Sequence, residues 1–83
     1  MYNSKMFYKI ESNNNIYEIF FYNMGEDFWE SHWECKIYKN SIFWFHIDLS
    51  KDSIFNGAHP EEWIINYFHN HLNLTGLVIT KIY

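Results

Sequence analysis

Arginine is absent from the chain, and all six of its basic residues are lysines. Ten aspartates and glutamates outnumber them and give a formal net charge of −4 at pH 7. Direct nucleic-acid binding normally requires a basic surface, because the protein must neutralise phosphates and release their counterions. Aromatic side chains are able to stack on bases, but a groove without cations repels the phosphates. We therefore expect no direct nucleic-acid binding.

Cysteine is equally scarce, since Cys35 is the only one and no disulfide can form within the chain. This usage favours a reducing compartment. The apolar runs are far shorter than the roughly 20 residues of a membrane-spanning helix, and the first residues lack the apolar stretch of a signal peptide. We expect a cytoplasmic protein with no membrane partner, located in the host cytoplasm if a phage encodes it.

The residue types that enzymes use for catalysis and metal binding are present, but their spacing does not match that of known catalytic or metal sites. The three glycines form no phosphate-binding loop, and the histidines show no paired spacing of the kind that zinc sites have. His32 and Cys35 are three apart, so on a strand they point to opposite faces and cannot form a nucleophile pair. These patterns predict no enzyme, metal or cofactor. The alternative is a small metal-dependent hydrolase that uses His32 and nearby carboxylates.

Aromatic residues are abundant and make up 23% of the 83 residues. A chain of this length forms one domain, predicted here to span residues 1–83, and such a small domain buries only about 60% of its unfolded surface. Each aromatic side chain can bury about 150–250 Å². Aromatic burial therefore compensates for the small size and the missing disulfides.

Alternating apolar and polar residues predict five strands. The first two, at 5–11 and 16–23, flank the turn-forming run at 12–15 and form a hairpin. In the third, "WESHWECKIY", alternate residues beginning with Trp29 face the core and place Cys35 there, while Glu30, His32 and Glu34 face solvent. A turn at 39–41 leads to the fourth strand at 42–49, and the last strand covers 77–83.

A helix is predicted to begin at Pro60, where a missing N–H is harmless, with Glu61 and Glu62 in its first turn. It covers about 13 residues, and its apolar side holds Trp63, Phe68 and, in the middle, His71. His71 is accordingly predicted to be a core histidine. The order ββββαβ predicts a small α+β two-layer sandwich, an antiparallel sheet with one helix packed on one face. The last strand returns to an edge, beside the first strand in one arrangement.

One helix covers only one face of such a sheet. We expect Phe43, Phe45 and Ile47 on the helix side. Trp44 and His46 are expected on the other face, joined by residues such as Tyr8 and Tyr22, although the pattern leaves the inverse assignment open. Exposed aromatic surface of this kind typically marks an interaction site. The alternative is that these residues only cover the sheet face and bind no partner.

The favoured hypothesis is a non-enzymatic protein-binding module with an acidic, aromatic surface. Acidic residues around the second turn favour a basic partner surface. Small acidic domains of this kind serve phages and mobile elements as inhibitors of host defence nucleases, including CRISPR effectors, whose nucleic-acid channels are basic. The candidate partner-binding residues are Tyr22, Glu26, Asp27, Glu30, His32, Glu34 and Trp44. The alternative is a homodimeric structural protein that uses the aromatic sheet face as its own interface.

Overall fold

The strands and the helix of the computed structural model follow the order that the sequence patterns predict. The structure describes residues 5–25 and 32–83. The strands are β1 (Lys5–Ser12), β2 (Asn15–Asn23), β3 (Trp33–Lys39), β4 (Ile42–Asp48) and β5 (Val78–Lys81), and helix α1 (Pro60–Asn70) precedes β5. The predicted α+β sandwich and the order ββββαβ are confirmed. Of the predicted third strand, the part from Trp29 to Ser31 lies outside the described residues.

Two-residue turns set the register of both β-hairpins. Asn13 and Asn14 join β1 to β2 with φ values of 52° and 65°, and Asn40 and Ser41 join β3 to β4 with φ values of 50° and 69°. Two consecutive positive φ values are typical of the type I′ turn, whose twist matches that of the strands, and asparagine tolerates this backbone better than most residues. The asparagine-rich segments therefore determine where each hairpin reverses.

The strand order across the sheet is β4-β3-β2-β1-β5, with every neighbouring pair antiparallel. The first four strands form a meander, and β5 returns after α1 to pair with β1. The expected placement of the last strand beside the first is confirmed.

Helix α1 packs on one face of the sheet and forms the core with it. Phe68 is fully buried and meets the ring of Tyr17 edge to face at 5.3 Å between centroids. Trp63 contacts Phe21 in the same way at 5.8 Å, and its indole N–H donates to Asp52 Oδ2 at 2.8 Å. The remaining core residues on the strands follow the alternation: Tyr8, Ile10, Ile19, Cys35 and Ile37. Leu49, just after β4, and Ile64 on α1 complete the core.

A β-bulge in β4 reverses part of the predicted face assignment. Ile37 pairs with Phe45 and Tyr38 pairs with Phe43, so Trp44 is the extra residue between them. Its ring lies 5.6 Å from that of Tyr17 and packs against the core. The predictions of Trp44 on the open side and Phe43 on the helix side are therefore wrong, because a bulge shifts the alternation by one residue.

Two further placements differ from the sequence-based expectation. Tyr8 lies on the helix side with 1% of its surface exposed, and its hydroxyl donates to Glu61 at the start of α1. His71 is exposed rather than buried, because α1 ends at Asn70 and His71 is its C-cap, where its ring stacks on Tyr67. The helix is thus two residues shorter than predicted, with 11 residues.

Helix α1, the only helix within residues 5–25 and 32–83, is not long and apolar enough to cross a bilayer.

Candidate functional site

The sheet face opposite α1, here called the open face, carries a continuous line of aromatic rings on β1 to β4 that extends to the residues after β5. We call this line the aromatic row. It consists of Tyr83, Phe7, Phe20, Tyr38 and Phe43.

Each ring of the aromatic row contacts the next. Phe7 and Phe20 stack in parallel at 4.3 Å between centroids, with 4° between their planes. Tyr83 lies 5.6 Å from Phe7, and Tyr38 lies 5.7 Å from Phe20. Phe43 completes the row at 5.6 Å from Tyr38. Contacts of this geometry add about 0.5–1.5 kcal/mol per pair beyond their buried area.

Strand register explains the alignment. Phe7 lies directly opposite Phe20 on the neighbouring strand. On β3, Tyr38 is the diagonal neighbour of Phe20, two residues beyond the directly opposite Lys36. The bulge in β4 then turns Phe43 to the same face as Tyr38. The two outer members are the most exposed, with 57% of Tyr83 and 53% of Phe43 accessible to solvent.

Next to the aromatic row, polar side chains of β2, β3 and β4 form an ionisable cluster, here called the acidic corner. Glu34 lies at its centre. His46 Nε2 lies 2.6 Å from Glu34 Oε1, and His32 Nε2 lies 3.0 Å from Glu34 Oε2. The Tyr22 hydroxyl donates to the same carboxylate at 3.3 Å, and Asp48 Oδ1 lies 3.7 Å from His32 Nε2.

Opposing effects determine the pKa of Glu34. Burial raises it, but hydrogen bonds from His46 and His32 lower it by more, so the pKa falls below its ordinary value of 4.5. Ser50 lowers the pKa of Asp48 by donating its hydroxyl and its backbone N–H to the carboxylate. Both carboxylates are therefore charged at neutral pH. Burial, together with the charge of Glu34, raises the pKa of Tyr22 and keeps its hydroxyl protonated.

We expect Glu34→Gln to reduce stability by about 1–2 kcal/mol at pH 7, because it replaces hydrogen bonds to a charged group. A pKa that is lower in the folded state contributes stability above pH 4.5, and that contribution disappears as the pH falls through the folded value. The stability gap between wild type and variant should therefore narrow below pH 4.5. Urea denaturation between pH 7 and pH 3 measures this, and a constant gap would contradict it.

Asn23 at the end of β2 is buried and holds together the two chain segments that flank residues 26–31. Its side-chain oxygen accepts hydrogen bonds from the backbone N–H groups of Gly25 and His32, both at 2.9 Å. The backbone N–H of Met24 also donates to the carbonyl of His32 at 2.7 Å. Asn23 thereby fixes the position at which His32 enters the acidic corner.

We expect Asn23→Ala to destabilise the fold by about 1–3 kcal/mol, since it leaves two backbone donors without their acceptor. Asn23→Asp is the matched control, because a carboxylate oxygen accepts the same two bonds. Thermal unfolding of the two variants, compared with wild type, provides the measurement. A loss for Asn23→Ala well below about 1 kcal/mol would contradict this role of the acceptor oxygen.

The structure brings three of the predicted partner-binding residues together and separates another. Tyr22, His32 and Glu34 meet in the acidic corner. Trp44 lies on the helix side of the sheet, away from them. Glu26, Asp27 and Glu30 lie outside the described residues.

Sequence reasoning missed the aromatic row as a unit, and it also missed Asn23. Sequence reasoning named neither Phe7 nor Phe20. Adjacent strand residues face opposite sides, so the wrong placement of Tyr8 on the open face also put Phe7 on the helix side. No sequence feature indicated the role of Asn23.

Among the described residues, no three or more histidine, cysteine or carboxylate side chains are arranged to hold a metal ion. Cys35 is buried, and burial raises the pKa of its thiol to about 12. A thiol with such a pKa is a poor nucleophile at neutral pH. No family model, curated protein sequence or solved structure matches the chain, so its function has to be inferred from the open face itself.

Proposed function

We propose that this protein is a non-enzymatic binding module that docks a partner protein on its open face. The observation that carries the proposal is the aromatic row, which crosses β4 to β1 and continues to Tyr83 after β5, with both ends more than half exposed. Aromatic side chains dominate the binding energy of protein interfaces.

The packing of the rings favours a protein partner over nucleobases. A base stacks on the free face of a ring. Phe7 and Phe20 cover each other at 4.3 Å, and the edge of one ring meets the face of the other in the pairs Phe20–Tyr38 and Tyr38–Phe43. Phe7 and Phe20 each use one ring face within the row, and the net charge of −4 opposes binding of phosphates.

Charge favours a partner with a basic surface. The acidic corner places Glu34 and Asp48 beside the aromatic row, and the whole chain carries a net charge of −4. Opposite charges on the two partners accelerate association and select against like-charged competitors. The nucleic-acid channel of a host defence nuclease, such as a CRISPR effector, fits this description. Blocking such a channel is the activity that we propose.

The experiment is an inhibition assay on a panel of purified CRISPR-effector nucleases, with DNA cleavage as the readout. The proposal expects inhibition of at least one nuclease, weakened by added salt and by the double variant Glu34→Lys with Asp48→Lys. Glu62→Lys on α1 is the control for a charge reversal on the opposite layer, and it reverses one charge where the double variant reverses two. If neither added salt nor the double variant weakens inhibition, the electrostatic part of the proposal is refuted.

Strand register also supports a second candidate function, self-association through the open face. Tyr22 lies between Lys5 on β1 and Glu34 on β3. A two-fold axis along β2 would place Lys5 of one copy over Glu34 of the other, as an isologous interface requires. Light scattering over a range of concentrations distinguishes the two functions. A stable dimer would indicate that the aromatic row binds a second copy of the chain.

A further inference from the structure

A concave depression of about 590 Å³ lies on the open face between the aromatic row and the end of β2. This volume falls within the range of about 300–1,000 Å³ that is usual for small-molecule sites. Asn23, Met24 and Gly25 form its end wall, and Tyr83 borders it from the far side of β1.

Aromatic side chains dominate the lining of the depression. Phe20, Tyr22, Tyr38 and Tyr83 all contribute to it. Phe20 and Tyr38 are held by their mutual contact at 5.7 Å, and Tyr22 is held by its hydrogen bond to Glu34. The apolar surface is therefore formed in advance, which reduces the ordering cost of binding a flat apolar ligand.

Two lysines supply the charge. Lys5 and Lys36 both line the depression, on the strands either side of Tyr22 and Phe20. Across residues 5–25 and 32–83, neither ammonium has a carboxylate within 4.0 Å, whereas Lys9 pairs with Glu11 at 3.5 Å. Lys36 Nζ lies 5.8 Å from the centroid of the Tyr22 ring, above the floor of the depression.

We propose that the depression binds a small aromatic carboxylate, with its ring on Phe20 and Tyr22 and its carboxylate towards Lys36 and Lys5. Inorganic anions gain nothing from the aromatic lining, and cationic ligands meet two ammonium groups. The ligand must therefore combine an apolar ring system with one negative charge. The inference does not rest on the proposed docking of a partner protein, but the two sites overlap at Phe20, Tyr38 and Tyr83.

The test uses 2-naphthoate as the probe and 2-naphthylmethanol as its neutral counterpart, with binding followed by two-dimensional NMR. We expect naphthoate to shift the resonances of Phe20, Tyr22 and Lys36 and to bind about fivefold more tightly than the alcohol, as two exposed ion pairs allow.

The double variant Lys5→Met with Lys36→Met should weaken naphthoate binding about fivefold and leave binding of the alcohol unchanged. Lys51→Met is the matched control, because Lys51 is exposed in the loop before α1 and does not line the depression. The NMR spectrum of each variant also reports whether it folds.

Three results would overturn the proposal: no shifts at millimolar naphthoate, shifts confined to α1, or equal weakening by the double variant and by Lys51→Met. No partner protein takes part in this experiment. If naphthoate does not bind, the proposal of nuclease inhibition still stands. If no nuclease is inhibited, the proposal of naphthoate binding still stands.

Discussion

Phe68→Ala will lower the free energy of unfolding by about 3–5 kcal/mol, as expected for truncating a fully buried aromatic side chain. Phe68 has no exposed surface and lies edge to face on Tyr17, so its removal opens a cavity between helix and sheet. Small domains are stable by only about 5–15 kcal/mol in total. The variant will therefore retain little free energy of unfolding. Urea denaturation followed by tryptophan fluorescence measures the loss.

Two controls separate this effect from a general sensitivity of α1. Phe68→Leu keeps an apolar side chain and should cost only about 1 kcal/mol. Ile65→Ala removes a side chain of the same helix that is 51% exposed, and should change stability by less than about 0.5 kcal/mol. If Ile65→Ala were as costly as Phe68→Ala, the buried face of the helix would be assigned wrongly.

Truncating either end of the aromatic row will weaken partner binding by about 30-fold, which corresponds to a typical hot-spot loss of about 2 kcal/mol. Phe43→Ala and Tyr83→Ala are the relevant variants. Both side chains are more than half exposed, so their loss should cost the fold only about 1 kcal/mol or less. Affinity for a nuclease found in the inhibition assay, measured by calorimetry, gives the binding loss.

Ile65→Ala again serves as the control, because Ile65 is similarly exposed but lies on α1, on the other layer. It should leave partner affinity unchanged. Unchanged affinity for both Phe43→Ala and Tyr83→Ala would remove the aromatic row from the interface and leave the acidic corner as the remaining candidate.

Much of the fold was predictable because its turns, strands and helix start follow from the conformational preferences of neighbouring residues. The asparagines at 13, 14 and 40 favour positive φ values, so they mark the hairpin turns directly. Period-two alternation places Cys35 and Ile37 in the core, and Pro60 marks the start of α1. Each of these features depends on a few neighbouring residues only.

The incorrectly predicted positions depend on interactions that alternation along one strand does not contain. The bulge at Trp44 is a mismatch between two strands, and strict alternation within β4 gives no sign of it. His71 follows the apolar helical period, but the helix ends one residue earlier and leaves it in solvent.

The candidate site is harder to predict than the fold for the same reason. The acidic corner joins Tyr22, Glu34 and His46 from three strands, and the aromatic row joins residues of four strands and Tyr83. Both require the strand order and the register of every pair to be known. Sequence spacing alone identified some of the residues but not how they combine.

The bulge in β4 and the shortness of β5 have a consequence for assembly in the cell. These two strands are the edges of the sheet, where unpaired backbone groups can recruit further strands. β5 offers only four residues and ends in Lys81, while the bulge at Trp44 distorts the other edge. Short, charged or bulged edges resist strand addition. Both edges therefore carry features that oppose edge-to-edge growth, while the ends of the aromatic row stay exposed on the face of the sheet.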